Sequence, residues 1–207
     1  MAFFGRVGAD ISHETRNTLS IIGEYAGLLN DLLAMAEKGK PPDYEKLKGI
    51  SAKIAKQVRR GTESMERFSR FAHAADERAA SCDLTALARN VAALAQRRVA
   101  LAGCRLEVKL PDRMLPVAAN PFILQQAVFS AIELMLEFQE AGAVVTIKVL
   151  AEASTAVITI SGNAPVAGSE LADQVSQLTA IMKELQGSVD AHRAEGVLSL
   201  ALSVPIQ

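Results

Sequence analysis

The chain has 207 residues, of which 50% are hydrophobic and 22% charged, enough apolar material for one sizeable domain or two small ones and too much for a disordered tail. Lys and Arg total 22 against 23 Asp and Glu, and this balance excludes nucleic-acid binding through bulk positive charge. Aromatic residues make up 4% and Trp is absent, so the core must be built from Ala, Leu, Val and Ile.

The first third reads as an antiparallel helical hairpin. Thr18, Ile22, Tyr25, Leu29, Leu32 and Ala36 step by four and three, and so do Leu47, Ser51, Ile54, Val58, Gly61, Met65, Phe68 and Ala72. This spacing belongs to helices that bury a narrow seam against other helices. Between the two series lies 38–43, Lys-Gly-Lys-Pro-Pro-Asp. Gly39 ends the first helix, Pro41 and Pro42 forbid its continuation, and Asp43 can cap the second. Two helices enclose no core, and each would expose an apolar stripe roughly 30 Å long. A second copy of the hairpin covers that stripe, so a homodimer with a central four-helix bundle is expected, against the alternative that the hairpin folds back on its own chain.

Composition shifts over Ala74–Asp83, which reads as a linker with Asp83 capping the next helix. The expected domains are therefore 1–78 and 83–207. Helical period covers Leu84–Ala102 and Pro121–Ala141, with Pro at the start of the second, and a further helix spans Ser169–Gln186 with Gly187 at its end. Strands are expected at Cys104–Leu110, Val144–Leu150, Ala156–Ser161 and Val197–Val204, with His192 in a turn. The fold class is α+β, with helices on one face of the sheet.

The sharpest local feature is Ser12-His13-Glu14-Thr15-Arg16-Asn17. With the buried seam running through Ile11, Thr15, Thr18 and Ile22, His13 points nearly opposite it at 100° per residue, and Asn17 lies one turn on along the same face. An exposed imidazole is a usable nucleophile near neutral pH, because its free pKa is about 6.5. Glu14 beside it can orient the ring and take its proton, Asn17 can position a water or a phosphoryl oxygen, and Arg16 can meet a phosphate's charge. The plain alternative is a solvated surface histidine.

The stretch from Val7 to Leu19 resembles the phosphoacceptor box of bacterial sensor histidine kinases, which typically reads Ser-His-Glu-Leu-Arg-Thr-Pro-Leu. Ser12, His13, Glu14, Arg16 and Leu19 match it, Asn17 falls where the box has Thr or Asn, and Thr18 replaces its Pro. The resemblance implies that His13 is phosphorylated, Glu14 assists as acid or base, and Asn17 orients water for dephosphorylating a partner. Asn120-Pro121 through Val128 is similar to the kinases' Asp-Pro-x-x-Leu-x-Gln-Val-Leu run, Asp83-Leu84 to the start of their ATP-binding domain, and 178–187 to the helix ending at their second glycine-rich region.

Nucleotide-binding residues depart from that pattern. The asparagine box falls on Ser130 and Leu134, and Leu134 offers no oxygen to Mg²⁺. The adenine-reading Asp falls on Ser161, its glycines on Asn163 and Pro165, and between Pro165 and Gln186 only Gly168 remains for a phosphate-cradling lid. The resemblance thus implies a histidine phosphotransfer protein with a degenerate ATPase-like domain. It would relay a phosphoryl group between response-regulator receiver domains through His13, with no cofactor of its own and Mg²⁺ on the receiver. A non-catalytic dimeric scaffold that blocks a kinase or regulator, and an active kinase with a divergent ATP site, are the alternatives. Cys82 and Cys104 are too few for a disulfide framework, His73 reads as a helix-end cation, and the basic cluster Lys53, Lys56, Arg59 and Arg60 reads as a solvated face. With no metal-ligand spacing, no secretion signal and no apolar run of the roughly 18–20 residues that cross a bilayer, the expected setting is cytoplasmic, away from membranes and nucleic acid.

Overall fold

A computed structural model describes residues 2–76, 81–152, 154–163 and 170–206. The chain forms two compact units, 1–70 and 71–207. Part of the expected linker, 77–80, and the stretch 164–169 with Pro165 and Gly168 lie outside the described residues.

The first unit is the hairpin. Helix α1 spans Ala2–Glu37 and α2 begins at Tyr44 and runs to Asp76, its last turns belonging to the second unit. The stop and restart are the expected ones. Gly39 takes φ +86°, which a Cβ disfavours, while its N–H and that of Lys40 donate to the carbonyls of Ala36 and Met35. Asp43 Oδ1 then accepts from the Lys46 N–H at 3.0 Å. By length and composition alone, Phe3–Glu37 is apolar enough to cross a membrane, which corrects the expectation from continuous runs. The reason is that polar residues are spread one or two per turn, so no run is long while the average stays apolar. A mostly buried core helix of a soluble protein and an N-terminal signal sequence pass the same test, and the apolar window of this helix is 0% buried within the chain.

The second unit is a sheet with helices on one face. Its elements are α3 (Leu84–Leu101), β2 (Arg105–Lys109), α4 (Pro121–Glu137), β4 (Val144–Glu152), β5 (Thr155–Asn163), α5 (Glu170–Glu184), β6 (Ser188–Ala194) and β7 (Val197–Pro205). Two-residue strands β1 (Cys82–Asp83) and β3 (Pro116–Val117) pair beside them. The main sheet has the order β2-β4-β5-β7-β6, with β2 parallel to β4 and the other pairs antiparallel. Val145, Ile147, Ile158, Ile160, Leu200 and Leu202 are buried under the helices, while Lys148 is exposed and Thr159, Ser161, Ser199 and Ala201 are half-buried on the other face. Helix α4 fills the centre with Leu124, Ala127, Val128, Ile132 and Met135, each fully buried.

Two expectations are corrected. His192 sits within β6, which the sequence reading missed, and the turn is Glu195-Gly196, with φ +53° and +78°. Helix α4 ends at Glu137, four residues short, because the chain must turn so that Arg105 N–H can reach the Ala143 carbonyl and set β2 beside β4. Asp83 caps α3 as expected and also receives the Leu115 N–H, at 3.1 and 2.9 Å. Replacing Asp83 by Ala orphans both donors, and urea denaturation should show a loss of about 1–2 kcal/mol.

Candidate functional site

Contacts between α1 and α2 run in opposite directions along the two helices, which makes the pair antiparallel. The Phe4 and Phe68 ring centroids lie 6.1 Å apart, Thr15 Oγ1 lies 3.6 Å from Met65 Sδ, and Lys53 Nζ stands 5.4 Å from the centre of the Tyr25 ring. Gly61 lets the helices approach, since a Cβ there would lie 3.3 Å from Thr18 Cγ2.

The seam falls where the sequence puts it. Ile11 and Thr18 are buried and Thr15 and Ile22 half-buried, whereas His13, Arg16 and Asn17 are exposed. The three polar side chains share the outer side of one helical turn. Glu14 goes elsewhere. Its carboxylate turns to α2, where Ser64 Oγ donates to Oε2 at 3.1 Å and the Arg60 guanidinium lies 3.5 Å from Oε1. Ser64 is 1% exposed. The sequence reading set Glu14 against the imidazole and counted Arg60 among solvated cations; it missed Ser64 altogether. A serine one residue from the Met65 seam position was the available signal. Lys53 likewise is engaged, by Tyr25.

Nearly opposite His13 on α1, the hairpin opens a groove of about 610 Å³, lined chiefly by Thr15, Leu19, Ile22, Val58, Gly61 and Met65. Leu19 is 63% exposed there, an apolar side chain with no cover from its own chain.

In the second unit, Ser130 is half-buried and Leu134 buried on α4. Ser161 stands beside Thr146 and Ser199 on the open face of the sheet, away from α4. The neighbouring Gly162 is the position that faces α4, and a Cβ there would come within 2.6 Å of Gln139 Oε1. Ser161, where the resemblance put the adenine-reading Asp, therefore faces away from α4, and the residue turned toward α4 is Gly162, under Gln139. Glu137 accepts from Gln174 Nε2 at 2.6 Å and ties α4 to α5. Leu134, at the position the resemblance gives to the Mg²⁺-holding amide, is buried and offers no oxygen to a hard cation. Among the described residues no group of three His, Cys, Asp or Glu side chains is placed to hold a metal. His73 is exposed in the last turn of α2. Burial, and then the Asp83 charge, push the Cys82 thiol up to about 11, which keeps it protonated and unreactive.

Solved structures share this fold. A histidine kinase from Burkholderia phymatum STM815 superposes over 98% of this chain and 97% of its own, with TM-score 0.56 and 13% identity. Acinetobacter baumannii histidine kinase AdeS covers 94% and 98%, at TM-score 0.52 and 15% identity. Histidine kinase ThkA, solved in complex with the response regulator protein TrrA, covers 100% of this chain and 63% of its own, at TM-score 0.54 and 16% identity. The fold is therefore that of histidine kinases, in both the helical region and the ATPase-like sheet. No protein-family model and no curated protein matches the chain.

At Gly61, a branched side chain meets Thr18 before it gains anything from helix propensity. Gly61→Val should destabilise the hairpin by about 1–3 kcal/mol in thermal or urea melts, whereas in Gly61→Ala the crowding and the propensity gain of up to about 1 kcal/mol oppose each other.

Proposed function

We propose that this chain is a cytoplasmic histidine phosphotransfer protein, a homodimer whose hairpins pair into a four-helix bundle. His13 accepts a phosphoryl group from the phospho-aspartate of one response-regulator receiver domain and passes it to another, without ATP-dependent kinase activity. The observation that carries this reading is the contrast between the two units. An imidazole stands outward with Asn17 and Arg16 beside it, while the positions that the resemblance gives to nucleotide hold a buried Leu134 and a Ser161 that faces away from α4.

The chemistry asks little of this chain. A ring nitrogen's lone pair forms the N–P bond as the P–O bond to the receiver aspartate breaks, its electron pair leaving on the carboxylate. The proton on the other ring nitrogen passes to water or to a base. Mg²⁺ and the acidic pocket belong to the receiver, so the chain supplies position and charge: Arg16 meets the phosphoryl oxygens, and Asn17 orients one of them or a water. A water so placed would also serve to dephosphorylate the receiver. The complex of ThkA with TrrA offers a precedent for a regulator docking on this fold.

The test is to mix the protein with labelled phospho-receivers. Label should appear on the wild type and vanish in His13→Gln, with the helix content unchanged by circular dichroism. Stable label on His13 from ATP and Mg²⁺ alone would instead establish an active kinase, and an inhibitory effect on a kinase that survives His13→Ala would establish a scaffold. The groove carries the dimer. Its apolar lining resembles half of a bundle core, and covering what remains exposed of Leu19, Val58 and Met65 is worth roughly 1–1.5 kcal/mol per side chain. Leu19→Glu combined with Val58→Glu should turn a sedimenting dimer into a monomer.

A further inference from the structure

We infer that Ser64 and Arg60, on α2, are positioning residues for the His13 site, acting through Glu14. The inference rests on the phosphotransfer reading and adds residues that the phosphoacceptor box does not contain.

Glu14 is covalently next to His13, so whatever fixes its side chain also fixes the rotation of that helical turn. Two donors fix it. Ser64 Oγ reaches Oε2 at 3.1 Å and Arg60 lies 3.5 Å from Oε1, one for each carboxylate oxygen. They come from α2, 50 and 46 residues away, and they sit one turn apart on that helix. The backbone is held as well, because Thr18 Oγ1 donates to the Glu14 carbonyl at 2.9 Å, and Thr15 Oγ1 meets Met65 Sδ at 3.6 Å. Ser64 is buried at 1% exposure, and a hydroxyl in such a place needs a partner; Glu14 is the one it has. The arrangement is a polar tie across an otherwise apolar seam.

The tie has a directional consequence. A carboxylate bonded to α2 is withheld from the imidazole, so the ring stays free to meet a receiver from outside. Loss of either donor releases the carboxylate to swing beside His13 and lets the α1 turn rotate. Transfer then slows at saturating receiver, while receiver binding changes little. An in-line reaction is sensitive to displacements well below 1 Å, so a loss of about tenfold is the scale expected.

The experiment measures phosphotransfer from a labelled phospho-receiver over a range of receiver concentrations. Wild type, Ser64→Ala, Arg60→Gln and Arg60→Lys are compared, each with its melting temperature. The expected result is a maximal rate about tenfold lower in Ser64→Ala and Arg60→Gln, a half-saturating concentration within twofold of wild type, and substantial recovery in Arg60→Lys, which restores the cation. Arg60 is largely exposed, so its variants fold even if Ser64→Ala does not. In a Glu14→Gln background, the Arg60→Gln loss should shrink, because the two act as one unit. Wild type that takes label, with Arg60→Gln transferring at the wild-type maximal rate or losing only receiver affinity, overturns the inference and leaves the relay standing. Wild type that takes no label from any phospho-receiver overturns the relay, and this inference with it.

Discussion

A helix has a limited arc to bury, and on α1 that constraint places the whole candidate site. Ile11, Thr15, Thr18 and Ile22 commit one arc to the hairpin seam and its groove. At 100° per residue His13 has nowhere to go but outward, with Arg16 and Asn17 on either flank. Glu14 falls on the boundary between the two arcs, half in the seam, which is why its carboxylate can reach α2. The sequence motif and the helix geometry are one constraint seen twice: to move the imidazole, the seam would have to rotate, and the Gly61–Thr18 approach resists that.

The second unit obeys a different constraint. Its sheet has one face under helices, so every residue on β4, β5 and β7 is assigned to one side by parity. That rule keeps the histidine-kinase fold recognisable at 13–16% identity. Buried aliphatic positions such as Ile147, Ile158 and Leu200 can exchange among themselves and leave the architecture unchanged. Ligand-holding positions have no such protection.

How much was legible follows from which interactions are local. The hairpin was readable because heptad spacing, Gly39, two prolines and Asp43 are all short-range signals, and the cap at Asp83 belongs to the same class. Strand β6 was not, because an edge strand exposed on both faces has no alternation to read; Val189 is its one half-buried residue. The end of α4 was set by a distant strand pairing. Ser161 against Gly162 shows the sharpest limit: one residue of register exchanges the faces of a strand, and the resemblance was read onto Ser161, which the strand turns away from α4. The partners of Glu14, 46 and 50 positions away, depend on the rotation of both helices and leave no local trace.

On the phosphotransfer reading, a site with no nucleotide to hold comes under packing rules. An amide at position 134 would bring polar atoms into a buried site and need partners there, whereas Leu134 needs none. At Gly162 the space a side chain would use is taken by Gln139, whose Nε2 donates to the Met135 carbonyl while its Oε1 is buried without a partner. A buried, unpartnered amide oxygen costs about 1–3 kcal/mol. Gln139 over Gly162 therefore keeps the layer closed at some expense in polar satisfaction. On the phosphotransfer reading that expense is tolerable, because the reaction draws nothing from this site: the phosphoryl group arrives already activated on a receiver, and the chain's contribution ends at the exposed turn of α1.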